Sequence, residues 1–319
     1  MKRVINIKKL IKIVGLFLFI VIIIKKIDFE KFYQTVISLN IAILVLASLI
    51  AQLPIFIKIN RWKYILNKLN IRESYYKITK IWFISLLLGV VTPLNIGDVF
   101  GKVAFLKHHD NKISTPLISI IIDRLSDIFV LLILAIIGIV LFIPFHKIIT
   151  LTIAFALLVS MILVFLMIRI NFFKKIFKKT FLIIVPKKLQ KNSEKNLKEL
   201  YTTLVQMKVN DFLTIFGLTI IALFFRLLFL STIAYILGIT QIPYFYLILI
   251  YAISVFVMMI PITIAGFGTR ELSMLALFSL FSVSSETAIV FSLLMFFVSL
   301  IPTLLIGFYF WLTEPLLST

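Results

Sequence analysis

Charged side chains standing inside apolar sequence are the residues of this chain equipped for chemistry. Hydrocarbon makes an isolated charge cost at least ~2.5 kcal/mol, so each must find a partner or a ligand. Two such groups follow a proline and glycines: Asp98 and Lys102 in Thr92-Pro93-Leu94-Asn95-Ile96-Gly97-Asp98-Val99-Phe100-Gly101-Lys102, and Arg270 and Glu271 in Pro261-Ile262-Thr263-Ile264-Ala265-Gly266-Phe267-Gly268-Thr269-Arg270-Glu271. In both segments a cation stands nine residues after the proline. A third group, Asp123, Arg124 and Asp127, follows Ser114-Thr115-Pro116, a helix start with proline at the first helical position. Thr115, Ser119, Asp123, Ser126 and Asp127 then share one helical face, and Arg124 is placed to reach Asp127 at i+3. The fourth is Arg226, with Leu223 to Phe225 before it and Leu227 to Leu230 after it.

The chemistry such residues support is recognition of an anion. An arginine presents an always-charged fork suited to carboxylate or phosphate, and backbone N–H groups at glycine turns and helix N-termini add to the attraction. Arg270, Glu271, Arg226, Lys102 and Asp98 are therefore candidate substrate-binding residues, with Asp98 and Glu271 holding the cations when no substrate is present. Asp123, Arg124 and Asp127 form a candidate gate or ion-pair network, with Arg226 as counter-ion to Asp123 or Asp127. A purely structural ion-pair lock stands beside substrate contact with equal weight, and Lys102 has the alternative of snorkelling to the cytoplasmic surface. Asp98, Asp123, Asp127 and Glu271 balance Lys102, Arg124, Arg226 and Arg270, four against four.

These residues need elements to position them, and composition says what kind. Of 319 residues, 62% are hydrophobic and only 14% charged, where a soluble domain is about half apolar and a quarter charged. Apolar runs able to cross ~30 Å of hydrocarbon recur throughout, so the expected fold is an all-α polytopic helical bundle in a membrane. The net charge of +20 concentrates in the leader, in 58–80 and in 169–208, as the positive-inside rule requires of cytoplasmic loops. Nucleic acid is not an expected partner. There is no cysteine, which excludes disulfides, thiolate zinc sites and cysteine nucleophiles. His108-His109-Asp110 lacks a third ligand at useful spacing and reads as a solvated loop, so no metal and no cofactor are expected.

Spans are expected at about 10–24 (an uncleaved anchor), 41–58, 116–143, 148–169, 212–237 and 286–311. Two broken hairpins, about 81–107 and 244–281, lie between them, interrupted at Pro93, Gly97, Gly101, Pro261, Gly266 and Gly268. Each half, 1–143 and 144–319, then reads as span, span, broken hairpin, span. Three full crossings per half invert the second relative to the first, so the hairpins enter from opposite faces, the plan of a transporter. A complete crossing by 244–264 would change that count. The basic segment about 170–210 is expected to lie along the cytoplasmic leaflet, and both termini are expected in the cytoplasm.

Gly97-Asp98 after Pro93, Asp123-Arg124 with Asp127 on the next long helix, and Gly266-Phe267-Gly268-Thr269-Arg270-Glu271 after Pro261 form an ordered set over nearly the whole chain. With it, the chain resembles the transmembrane, flippase-like domain of lysylphosphatidylglycerol synthases. The resemblance implies a multi-pass protein of the inner or plasma membrane that moves lipids or lipid-linked head groups between leaflets. It departs from the family pattern at Lys102, where arginine is expected, which weakens bidentate phosphate recognition there. No aminoacyltransferase domain accompanies it, so synthesis of an aminoacylated lipid is not expected.

The function expected is a lipid flippase-like transporter, not an enzyme, acting on an anionic phospholipid or a polyprenyl-phosphate lipid. Two alternatives stand beside it: a membrane glycosyl- or phosphotransferase using Asp98 with Asp123, and an accessory subunit partnering a lipid-modifying enzyme.

Overall fold

The computed structural model describes residues 28–90, 92, 95–106, 114–142, 207–259 and 268–313. All regular structure among them is helical: α1 (Phe29–Ile37), α2 (Ile41–Lys68), α3 (Tyr75–Val90), α4 (Ile96–Leu106), α5 (Ser114–Phe142), α6 (Val209–Ile236), α7 (Tyr244–Met259), α8 (Thr269–Ser279) and α9 (Ser285–Thr313). Four of these, α2, α5, α6 and α9, are long and apolar enough to cross a membrane. They match the expected spans 41–58, 116–143, 212–237 and 286–311. The expected spans 10–24 and 148–169, Pro93, Pro261, Gly266 and most of the basic segment lie outside the described residues.

Helix lengths repeat in order. Helices α2 to α5 have 28, 16, 11 and 29 residues, and α6 to α9 have 28, 16, 11 and 29. Packing is reciprocal as well. Helix α2 packs most extensively against α6, α3 packs against α9, and α7 against α5. Helices α2 and α6 run antiparallel, since Lys68 meets Asp211 at 2.7 Å while Arg61 meets Thr219 at 2.7 Å further along. Their apolar seam joins Ala47 and Ala51 to Phe229, Ile233 and Ala234, all at most 1% exposed.

Side-chain caps mark the starts. Asn40 accepts the Ile43 N–H ahead of α2. Asp28 accepts the N–H groups of Glu30 and Lys31 ahead of α1, and these amides, the Lys31 one foremost, hold its carboxyl below the ordinary range. The Asp28 N–H also donates to Glu286, tying α1 to the start of α9.

One boundary differs from expectation. The second span does not end at residue 58 but continues helically to Lys68. Lys58, Arg61, Ile65 and Lys68 recur on one face, and carboxylates from α5 and α6 neutralise three of them, so the cations do not end the helix.

The region of each expected hairpin holds a 16-residue helix followed by an 11-residue one. Gly97 and Gly101 lie inside α4 and serve close packing instead of breaking the chain. A Cβ on Gly97 would stand 2.2 Å from the Leu88 carbonyl oxygen, and one on Gly101 would stand 2.6 Å from Ser85 Oγ. The Gly97 N–H donates to Thr92 Oγ1 at 2.7 Å, and that hydroxyl donates to the Leu88 carbonyl, closing the α3–α4 turn. Gly268 does sit at an interruption. Its φ of 96° needs glycine, and its N–H donates to Glu271 Oε2 at 2.7 Å.

Gly97→Ala should push α4 off α3 and destabilise the fold by about 1–3 kcal/mol. A thermal melt in detergent should show this as a lower transition temperature; an unchanged one would mean α4 can withdraw from Leu88 freely.

Candidate functional site: buried ion networks between the helices

The first network lies between α2, α5 and α6. Arg61 is fully buried and pairs with Asp123 and Asp127, each at 2.7 Å. Its Nη1 also donates to Thr219 Oγ1 at 2.7 Å, and Nη2 to the Asp123 carbonyl at 3.2 Å. Lys58 closes the group by donating to the second oxygen of Asp127 at 2.7 Å. Two cations and two carboxylates cancel, and every face of the guanidinium is engaged. The partner of Asp123 and Asp127 is thus Arg61, not Arg226, because α2 stays helical and carries Arg61 alongside α5.

A second network is built next to it, on α4 and α5. Asp98, 1% exposed, lies 3.0 Å from Lys102 Nζ and accepts a hydrogen bond from Arg124. Arg124 therefore points to Asp98 and not to Asp127, whose two oxygens are taken by Lys58 and Arg61. Lys102 does not snorkel. It is buried at 1% exposure, with its ammonium 3.7 Å from the Trp82 ring centre and 5.5 Å from that of Trp62.

Trp62, the neighbour of Arg61, donates to Ser119 on α5 and packs edge-on against Trp82. One body of side chains thus joins α2, α3, α4 and α5. It carries a net single positive charge on the Asp98 side, where the Arg124 side chain is 48% exposed. Buried beside it on α3, Trp82 Nε1 and Ser85 Oγ have no hydrogen-bond partner among the described residues.

The third group is internal to α8 and α9. Arg270 pairs with its neighbour Glu271, and its Nε donates to Ser292 Oγ on α9 at 3.1 Å. The ring of Phe296 lies 4.3 Å from the guanidinium carbon. Arg226 stands apart. The rings of Phe229 and Tyr251 are 5.6 and 5.5 Å from its guanidinium carbon, and among the described residues no carboxylate is within ion-pair distance.

Matched from the helix starts, the corresponding residues of the two short helices are the acids, not the cations. Asp98 is the third residue of α4, and Glu271 the third of α8. The equal spacing of Lys102 and Arg270 from their prolines does not carry into the fold, because the α7–α8 connection is longer than the α3–α4 one. The count of charges changes too. With Lys58 and Arg61 included, six cations (Lys58, Arg61, Lys102, Arg124, Arg226, Arg270) meet four acids (Asp98, Asp123, Asp127, Glu271).

Sequence reasoning passed over Lys58 and Arg61 as cytoplasmic loop cations and did not single out Thr219, Trp62, Trp82 or Tyr251. The signal available was helical: 58, 61, 65 and 68 recur on one face.

Arg61→Met should cost about 3–5 kcal/mol, because it strands Asp123 without a cation. Arg61→Met combined with Asp123→Leu leaves the Lys58–Asp127 pair whole and should recover most of that loss. Denaturation midpoints of both variants check this; a double variant as unstable as the single one would contradict it.

A search of curated proteins finds no match to this chain. The family model described as "Lysylphosphatidylglycerol synthase TM region" matches residues 9–307, which takes in every network above. The chain belongs to that family of membrane proteins.

Proposed function

We propose that this protein is a lipid flippase-like transporter, without nucleotide hydrolysis of its own, that carries an anionic phospholipid or a lipid-linked phosphate head group between leaflets. Membership of the lysylphosphatidylglycerol synthase TM family supports a lipid-related role in a membrane. The carrying observation is the net positive cluster on α4 and α5, where half-exposed Arg124 and buried Lys102 share the single carboxylate of Asp98. A site with one positive charge in excess, at a depth where charge is costly, is suited to a transient anion. The free Trp82 Nε1 and Ser85 Oγ beside it offer hydrogen bonds to an oxyanion or its water.

In this reading the two sets of four helices are inverted repeats. The antiparallel course of α2 and α6 and the repeated helix lengths support that arrangement. Rocking of one set against the other alternates access, while acyl tails stay in the bilayer. The Arg61–Asp123–Asp127–Lys58 network is the gate on the side where α2 ends. Glu271, paired with Arg270, holds in the second set the place that Asp98 has in the first. The protein resides in the cell membrane, with membrane lipid as its partner.

Reconstitution into vesicles with a fluorescent anionic phospholipid tests this. Wild-type protein should speed movement of the label between leaflets, and Arg124→Gln should slow it about tenfold or more while the melting temperature is retained. Equal rates in protein-free, wild-type and variant vesicles would overturn the proposal.

A further inference from the structure

We infer that Arg226 is a binding site for the phosphate of an anionic lipid that enters sideways from the bilayer between α6 and α7. The repeated architecture supplies the first argument. Lys58 and Arg226 are each the eighteenth residue of a 28-residue helix. In the first set, Lys58 is neutralised by Asp127, the fourteenth residue of α5, and nearby Asp123 is the tenth. The fourteenth and tenth residues of α9 are Val298 and Leu294. Both belong to the apolar cluster that includes Leu223 and Leu227 on either side of Arg226. The second set has kept the cation and has apolar side chains where the acids stand.

Burial supplies the second argument. Arg226 is half-buried, ten residues (about 15 Å) from the C-terminal end of α6, too deep for an uncompensated charge to be neutral in cost. The other five cations of the networks each have a carboxylate. The rings of Phe229 and Tyr251 stand 5.6 and 5.5 Å from the guanidinium carbon, and among the described residues no carboxylate takes its N–H groups. Two parallel N–H donors match two phosphate oxygens.

The ligand's source follows from the surroundings. Arg226 is half-buried among apolar side chains, Leu223, Leu227, Phe229 and Tyr251. Free phosphate would have to shed its water to reach that position, whereas a lipid brings its own apolar part. The inference rests on the lipid-handling reading above and adds the place where the head group is held, independent of whether the lipid then crosses.

Native mass spectrometry of the purified protein with equal amounts of phosphatidylglycerol and phosphatidylcholine tests it. Wild-type protein should retain phosphatidylglycerol preferentially, and Arg226→Gln should reduce that retention about tenfold. Arg226→Lys should fall between them, because a point charge lacks the fork. The melting temperature of Arg226→Gln without added lipid should be no lower than that of wild type, since among the described residues the removed charge has no carboxylate to strand. Equal phosphatidylglycerol retention by wild type and Arg226→Gln would overturn the inference. So would competition by inorganic phosphate as effective as that by phosphatidylglycerol, which would mark a site for soluble anions. Retention that depends on Arg226 in a protein that shows no leaflet transfer would sustain the site and reject the transporter.

Discussion

A charge inside a bilayer must be neutralised by something close, and the structure is organised around that requirement. Arg61 is its clearest expression: fully buried, it is held by carboxylates one helical turn apart on α5 and by a hydroxyl on α6. No single helix could satisfy it. The three helices that do are thereby fixed in register, since a slide by one turn would move both acids off the guanidinium. A buried ion pair adds little to stability over a well-packed apolar pair, but losing one partner is costly. The network therefore selects one arrangement of α2, α5 and α6 among several that apolar packing would tolerate.

The neighbouring network reuses α5 from its other side. Asp123 faces α2 while Arg124 faces α4, so consecutive residues bind α5 to two neighbours at once. Trp62 and Trp82 fill the space between, and Lys102 lies over both rings. Small residues let the backbones come this near. Gly97 and Gly101 admit α3, Gly307 admits the Phe83 carbonyl, and Gly138 admits Leu249 and Ile253 of α7. The last two lie near the far ends of the 29-residue helices, one in each set, so close approach recurs along with helix length.

The two sets differ where function would need them to. The first has its long-helix cations matched by acids. The second carries Arg226 with aromatic neighbours and Arg270 with the residue beside it. A bundle that neutralised every charge internally would leave nothing for a ligand to do. The imbalance of six cations to four acids is what separates a candidate binding surface from a scaffold.

Much of this was legible in the residues alone. Apolar content, the positions of the cations and the length of the runs determine a helical membrane bundle and four of its spans, because hydrocarbon allows few other structures to cross it. The paired acids of residues 98, 123, 127 and 271 are visible as charges where charge is expensive. What tertiary structure decided is who meets whom. Helical periodicity gives the face of α5 that carries Asp123 and Asp127, but the partner was settled by α2 continuing past its cations to place Arg61 there. Those cations read as loop residues in a linear scan, because the carboxylates that neutralise them are more than 60 positions away in the chain. Pair energies of this kind depend on distances set by three helices together, and no local pattern records them.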